Sequence, residues 1–387
     1  MKITHVISDT NIGGAGILLS AITSELKDEF DFEIILPKGS RLIERLPCAG
    51  IKITEADMAP DNSFYLPDIR RLTRYFRSTS PDIVHTHAAL SPRIAARLAG
   101  VEVCLSTRHC AKPPEGVKRL NFMQRNIYNW STDITVSTAD FATQNLIKEG
   151  KSSRRIITIR NGVRINPNQD TGSGIDIFEQ LKIPRNSRLV GSVARLERIK
   201  GQDLIIRAAA KIVKDFDDVY FLFIGDGSCA EEYKHLSARL GLGERVIFTG
   251  YVSDPGIYQR HFYLNVNASR GTETSCLAIS ECMGLGIPTV ASDFGGNTEM
   301  IEHLVNGLIF RSDDTFDIER CIRSVLISRE LYSRLSKGAE RIYRERYTAD
   351  RMISEYRRLY RRAAALAREH RLPDFSTHNI HTRSRRI

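Results

Sequence analysis

Short apolar runs alternate with segments of helical period along most of the chain. In the first half, residues 3–8, 32–36, 52–55, 83–85, 103–107 and 134–137 predict strands. The helical segments between them lie at 17–26, 41–46, 67–76, 92–98 and 122–130. A cluster of Asn, Asp, Gly and Pro then interrupts the pattern, and an interdomain linker is expected at 165–175. Strands resume at 189–193, 220–224, 246–249, 264–268 and 288–291, with helices at 202–214, 230–240 and 255–262. A long helical run at 342–368 closes the pattern. Such alternation builds parallel sheets covered by helices on both faces, so the chain predicts two α/β domains of similar size. Their expected bounds are 1–168 and 175–341, with helix 342–368 returning to the first domain and a basic, disordered tail at 373–387.

Two helices have sharply divided faces. In 67–77, Ile69, Leu72, Tyr75 and Phe76 share one side, while Arg70, Arg74 and Arg77 lie opposite with Arg71 beside them. Such a helix either faces a core with its arginines in water or lies on a membrane, where each arginine is worth roughly 1 kcal/mol near anionic headgroups. In 342–368, Met352, Tyr356, Leu359 and Tyr360 line one side and Arg357, Arg358, Arg361 and Arg362 crowd the other.

Composition narrows the classes. The 387 residues suffice for two full cores, and 42% hydrophobic with 26% charged residues is ordinary for a soluble globular protein. No run approaches the roughly 20 apolar residues of a membrane-spanning helix. The start, M-K-I-T-H-V-I-S-D-T, turns polar too soon for a secretory leader and predicts a first buried strand. Cys48, Cys104, Cys110, Cys229, Cys276, Cys282 and Cys321 are scattered and contain no C-x-x-C pair. They indicate neither a disulfide framework nor a zinc site and suit a reducing cytoplasm. The net charge of +10 divides into +6 over 1–165, −4 over 166–340 and +8 over 341–387. The basic ends suit an anionic surface. No aromatic interleaving or nucleic-acid motif accompanies them, so nucleic acid is not an expected partner.

Candidate chemistry gathers in residues 270–291, R-G-T-E-T-S-C-L-A-I-S-E-C-M-G-L-G-I-P-T-V-A. Glu273 lies in a loop before a helix and Glu281 two turns into it, so both carboxylates can face one cleft. The first turn of that helix also offers unpaired N–H groups to a phosphate. Taken alone, the pair fits equally well a buried helix with two solvated glutamates. Upstream, Arg195 and Lys200 flank a turn after the first strand of the second half, a natural clamp for a diphosphate. Gly225-Asp226-Gly227 ends the next strand at the same sheet edge. Near the amino terminus, Gly13-Gly14 follow the first strand where backbone can approach a phosphate or sugar closely. That turn is not G-x-G-x-x-G and no acidic residue clearly follows at dinucleotide spacing, which disfavours a nicotinamide cofactor. His85 and His87 close a strand and alternate to one side of it. With no third and fourth ligand at zinc spacing, a polar active-site histidine is expected there rather than a metal ligand. Arg108-His109 repeats the pattern one strand later.

In chain order, Gly13-Gly14, His85-x-His87, Asn161-Gly162-Val163, Arg195 with Lys200-Gly201, Gly225-Asp226-Gly227 and Phe248-Thr249-Gly250 precede the glutamate pair. Gly286-Ile287-Pro288, Gly295-Gly296 and Asn306-Gly307 follow it. With these residues the chain resembles the retaining glycosyltransferases of the GT-B fold, group 4 family, over nearly its whole length and most strongly over 189–310. The resemblance implies two Rossmann-like, doubly wound domains facing a central cleft, the first for the acceptor and the second for a nucleotide sugar. By that resemblance Arg195 and Lys200 neutralise the donor diphosphate as the sugar–phosphate bond breaks. Glu281 holds the ribose hydroxyls and Glu273 binds hydroxyls of the transferring sugar. Gly225 and the segment Thr274, Ser275, Cys276 and Leu277 contribute to the nucleotide and phosphate site. His87 stands by the anomeric carbon, and Gly13 and Gly14 admit the donor or acceptor. No metal and no separate cofactor are implied, and the Asp217-Asp218 and Asp313-Asp314 pairs are read as exposed turn residues. One departure stands out: the family usually has Gly and an aromatic after the first glutamate, where this chain has Thr274-Ser275-Cys276. The donor-sugar pocket is therefore expected to be reshaped.

The implied reaction moves a hexosyl group from a UDP- or GDP-sugar to a hydroxyl of a saccharide or lipid-linked acceptor, with retention of configuration. It is expected in cell-surface polysaccharide, lipopolysaccharide or glycolipid synthesis, in the cytoplasm or peripherally at the inner membrane face, with an anionic membrane surface as partner. Two other readings stay open: a nucleotide-sugar 2-epimerase of similar architecture, and a non-catalytic membrane-associated sugar-binding protein.

Overall fold

The computed structural model describes residues 1–10, 13–46, 50–60, 62–110, 117–165, 176–271 and 273–369, with side chains as far as 365. The expected linker over 166–175, the tail 373–387 and Cys48 lie outside the described residues. The chain divides into two compact units, Met1–Gly162 with the segment from Ala349, and Val163–Thr348.

The first unit is built on strands β1 (Lys2–Ile7), β2 (Asp31–Pro37), β3 (Lys52–Ala56), β4 (Ile83–His87), β5 (Val103–Arg108), β6 (Ile134–Ser137) and β7 (Ile156–Thr158). They form one sheet in the order β3-β2-β1-β4-β5-β6-β7, and every pairing is parallel. Helices α1 (Gly14–Leu26), α2 (Leu66–Thr79), α3 (Ser91–Ala99), α4 (Phe122–Ser131) and α5 (Asp140–Lys148) lie between them in sequence. Strands buried on both faces read as near-continuous apolar runs, which is why 3–8, 32–36 and 103–107 were legible as strands. On α2, Ile69, Leu72 and Phe76 enter a core with Val6, Ile35 and Val84, whereas Arg70, Arg71, Arg74 and Arg77 are exposed. Arg71 pairs with Asp57 at 2.9 Å and Arg77 donates to Leu98 O at 2.9 Å. The apolar side of this helix beyond its first residue, the exposed Leu66, is therefore committed to the core.

The second unit contains β8 (Arg188–Val193), β9 (Val219–Ile224), β10 (Val246–Phe248), β11 (Phe262–Asn267), β12 (Thr289–Ser292) and β13 (Gly307–Phe310). Its sheet runs β10-β9-β8-β11-β12-β13, again parallel throughout. Its helices are α6 (Ile177–Gln180), α7 (Gln202–Ile212), α8 (Ala230–Arg239), α9 (Gly256–Gln259), α10 (Leu277–Gly284), α11 (Asn297–Met300), α12 (Thr315–Ile327) and α13 (Arg329–Arg346). Val190, Phe221, Phe223, Leu264, Val266 and Val290 of the sheet pack with Ile205, Ala208 and Ile212 of α7 and with Ile318, Ile322 and Val325 of α12. A last helix, α14 (Ala349–Glu369), belongs to the first unit, where it packs on α1 and β5.

Several expectations change. The strand predicted at 83–85 extends to His87, so both histidines lie inside β4. The helix predicted at 255–262 is the short α9, because Phe262 and Tyr263 already belong to β11. The helix predicted at 342–368 is two: the Tyr347 carbonyl accepts from Val163 N at 3.0 Å and Val163 bridges Thr348, which draws that backbone out of the helix. Asp217 and Asp313 lie in exposed turns as expected, while Asp218 and Asp314 are half-buried. Asp218 receives Arg188 through both carboxylate oxygens at 2.6 and 2.8 Å, Asp313 pairs with Arg270, and Asp314 caps α12 by accepting from Phe316 N and Asp317 N.

Candidate active site

In an open parallel sheet, ligands gather beyond the carboxyl ends of the strands at the point where strand order reverses. In the second unit that point lies between β8 and β11. Arg195 and Lys200 follow β8 and Glu273 follows β11, so the topology brings together residues 73 positions apart. Lys200 Nζ donates to Glu273 Oε2 at 2.8 Å, and Ser269 Oγ donates to the same oxygen at 2.8 Å. Glu273 is buried and the Lys200 side chain only 17% exposed, while Arg195 is exposed. Burial works against the Lys200 ammonium, but the Glu273 carboxylate, through its charge and its hydrogen bond, outweighs it and raises its pKa, even with Arg195 opposing. The result is a charged lysine in a half-closed site at every physiological pH. Burial, then the Glu273 charge, pushes the Cys276 thiol up to about 12, so it is a neutral neighbour and no nucleophile.

The loop carrying Glu273 is tied down from beneath. Arg270 N donates to Ile199 O at 2.8 Å and its guanidinium reaches Arg198 O, Asp203 Oδ1 and Asp313 Oδ1 at 2.7 to 2.9 Å. One arginine thus joins the Lys200 turn to the Glu273 loop. Ser292 Oγ donates to Ser269 O at 2.5 Å, and Asn297 Nδ2 donates to Ser292 Oγ at 3.0 Å and Asn267 Oδ1 at 3.3 Å. Gly296 allows the following turn to lie against this loop: a Cβ there would stand 1.5 Å from Thr274 O. Thr274 and Ser275 are buried ahead of Cys276 and Leu277, the N-cap and first residue of α10. One turn on, Glu281 Oε2 accepts from Gln259 Nε2 at 2.9 Å. Burial raises the Glu281 carboxyl pKa and the Gln259 bond partly offsets this. Gly225, at φ +136, packs where a Cβ would meet Ala194 O at 2.1 Å, which sets the backbone beside Arg195.

In the first unit the order reverses between β1 and β4. Gly13 and Gly14, the N-cap and first residue of α1, follow β1, and His87 ends β4. His5 of β1, His85 and His87 of β4 and His109 after β5 form a file closed by Tyr360 of α14. Its links are Thr107 Oγ1 to His85 Nε2 at 2.7 Å, His85 Nδ1 to Tyr360 Oη at 3.0 Å and Tyr360 Oη to His5 Nε2 at 3.3 Å. They continue from His5 Nδ1 to His87 Nε2 at 3.1 Å and from His87 Nδ1 to His109 Nε2 at 2.9 Å. Desolvation lowers all four imidazole pKa values, His109 to about 4, so the file is neutral at pH 7. A neutral imidazole donates at one nitrogen and accepts at the other, so the tautomer of each ring sets that of the next.

Nitrogen atoms of His5, His85 and His87 all lie within 4.8 Å of one another, a spacing open to a metal ion. The rings are stacked, however, at 20° for His85 and His87 and 22° for His5 and His87. A cation needs lone pairs that converge in the ring planes, and both nitrogens of His85 already meet hydroxyls. The donor set fits a hydrogen-bonded file better than a metal.

Residues 175–342 match the family described as Glycosyl transferases group 1, and residues 12–166 match Glycosyltransferase Family 4. The chain belongs to the family 4 GT-B glycosyltransferases. Among curated relatives it is 24% identical over 300 residues to N-acetyl-alpha-D-glucosaminyl L-malate synthase of Bacillus anthracis, covering 72% of this chain and 74% of that protein. It is 26% identical over 309 residues to the Escherichia coli UDP-Gal:alpha-D-GlcNAc-diphosphoundecaprenol alpha-1,3-galactosyltransferase, covering 74% and 78%. Its fold matches that of Anabaena HepE in complex with UDP-glucose at a TM-score of 0.79 and 20% identity, over 93% of this chain and 99% of that one.

In this glycosyltransferase the structure brings Lys200 and Glu273 into direct contact, and sets Glu281 and the start of α10 on the same segment. Arg195 contributes its charge from the adjacent turn. Four polar residues of these surroundings, His5, Gln259, Ser269 and Asn297, carry no functional expectation from the sequence, and Tyr360 was expected only on the apolar side of its helix. His5 carried a signal, an ionisable residue in the middle of a buried strand. Gln259 and Tyr360 meet their partners across 22 and 355 positions, which no local pattern reveals.

Proposed function

We propose that this glycosyltransferase moves a hexosyl group from a UDP- or GDP-sugar to a hydroxyl of a saccharide or lipid-linked acceptor, with retention of anomeric configuration. The observation that carries the reading is the Lys200–Glu273 pair beside Arg195 at the switch point of the second unit. A cation and a carboxylate held together suit a donor that presents phosphate and hydroxyls side by side. Lys200 and Arg195 would take the developing diphosphate charge, with the amides of Thr274 to Leu277 beside them. Glu273 would accept from sugar hydroxyls and Glu281 from the ribose, while Gly225 leaves the nucleotide room. For His87 we propose a neutral imidazole presented to the transferring sugar, with Gly13 and Gly14 admitting the substrate near it. With two protein cations and helix amides at the phosphates, the leaving diphosphate itself deprotonates the acceptor and no metal is called for.

The relative acting from UDP-Gal on a diphosphoundecaprenol-linked sugar supports a lipid-linked acceptor and a role in cell-surface polysaccharide or lipopolysaccharide synthesis. No helix among the described residues is long and apolar enough to cross a membrane. A lipid-linked acceptor and a nucleotide-sugar donor would meet at the inner membrane face, and we infer action there, from the cytoplasm. The test is a panel of labelled UDP- and GDP-sugars, with and without a lipid-linked acceptor, and the anomeric configuration of the product read by NMR. A retained glycoside supports the reading. Free epimerised nucleotide sugar would identify an epimerase, and donor binding without turnover a silent binding protein.

A further inference from the structure

Helix α4 is amphipathic in the reverse sense. Phe122, Met123, Ile127 and Trp130 are 73%, 66%, 37% and 49% exposed, and at about 100° per residue they occupy one face of about 140°. The opposite side is the polar one. Tyr128 Oη lies 2.7 Å from Thr135 Oγ1, with Arg93 and Lys151 over its ring. The helix is firmly placed: Asn121 and Gln124 form a reciprocal cap at its start, Arg97 Nε donates to Trp130 O at 2.8 Å, and Arg155 Nη1 donates to Asn129 O at 2.9 Å. Four large apolar side chains on a fixed helix, turned outward together, mark a surface that something covers.

The charge around the face says what. Lys118, Arg119, Lys148 and Arg154 are exposed and Arg125 half-buried. Leu120 N donates to Glu149 O at 2.9 Å and Gly150 lies between Arg119 and Arg125, which places the segments bearing these cations side by side. The carboxylates here are spent internally: Glu149 on Arg108 and Lys151, Asp133 on Arg97. An aromatic and aliphatic face with a basic border is complementary to an anionic bilayer, whose headgroups meet the cations while the rings enter the interface. At ten residues, α4 is about 15 Å long, so it lies in the interface rather than crossing it. On helix α2, by contrast, Ile69, Leu72 and Phe76 are buried and the exposed apolar residue is Leu66 at its first position, so the body of that helix has no apolar face to insert.

We propose that the exposed face of α4, with its basic border, is the surface on which this protein docks onto anionic lipid. The inference deepens the lipid-linked acceptor reading and rests on it for its purpose. Trp130 is the only tryptophan of the chain and lies in the face itself. The experiment titrates the full chain with phosphatidylglycerol and with phosphatidylcholine vesicles and follows Trp130 emission. Phosphatidylglycerol is expected to shift it to the blue, brominated acyl chains to quench it, and added salt to weaken binding. The Phe122→Ser/Met123→Ser double variant, altered only at exposed positions, is expected to bind about tenfold more weakly with an unchanged melting temperature. The Lys118→Glu/Arg119→Glu variant is expected to lose the preference for phosphatidylglycerol.

An unshifted Trp130, or equal binding by the variants, overturns the proposal. So does emission that shifts with protein concentration alone while sedimentation reports a dimer, since the face would then belong to a second copy. Insertion without any sugar transfer would leave the docking surface standing and remove the proposed reaction; transfer without insertion would do the reverse.

Discussion

His5, His85, His87 and His109 all have folded-state pKa values below the ordinary 6.5, because desolvation disfavours the imidazolium. In the unfolded chain they protonate near that value. Between it and the folded pKa the unfolded state binds more protons, so their contribution to stability is complete above pH 6.5 and falls as the pH drops below it. Each imidazole removes about 1.4 kcal/mol per pH unit in that window. The melting temperature is expected to fall between pH 7.5 and 5.5, and His5→Gln to make the slope shallower; identical slopes for the two proteins would contradict a neutral file. At this scale, the candidates His87, Arg195, Lys200 and Glu273 were legible because each stands at a strand end or before a helix, and Glu281 because it lies one turn into the same helix. His5 was not visible as a partner, because its neighbours depend on the register of β1 against β4.

The element that positions the candidate chemistry is the loop from Arg270 to the start of α10, with the Gly295-Gly296 turn packed against it. A methyl group at Gly296 has no room beside Thr274 O. Gly296→Ala is therefore expected to cost about 1–3 kcal/mol in chemical denaturation and to raise the donor KM; wild-type stability would show that the turn can move aside. Arg270→Ala removes the staple between this loop and the Lys200 turn. It is expected to raise the donor KM more than it lowers kcat, and a pure kcat effect would instead place Arg270 among the groups that touch the donor. The helix and the glycine turn were legible from periodicity and composition. The staple was not, since its partners lie 67 and 43 positions away and a lone arginine in a loop reads as solvated.

Over the whole molecule, the chain leaves the first unit after Gly162 and returns to it after Thr348. On α14, Met352, Tyr356, Leu359, Tyr360 and Ala363 are buried, and Arg357 and Arg361 pair with Glu29 at 2.6 and 2.7 Å. A chain ending at Thr348 is expected to lose the cooperative unfolding of the first unit while keeping that of the second, as read by calorimetry. Two undisturbed transitions would mean that α14 is dispensable. The two α/β series were plain in the pattern of apolar runs. The break at Tyr347-Thr348 was not, because helix-compatible residues continue on both sides and only the tertiary bond from Val163 N opens the helix.

The central claim is that Lys200 and Arg195 supply the charge that stabilises a departing nucleoside diphosphate. The direct measurement is the steady-state rate of sugar transfer by Arg195→Ala and Lys200→Ala beside the wild type, with melting temperatures as the control for folding. A loss of about 10²–10³ in kcat is expected for each variant with the fold intact. Near-normal transfer by a folded Lys200→Ala protein would contradict it.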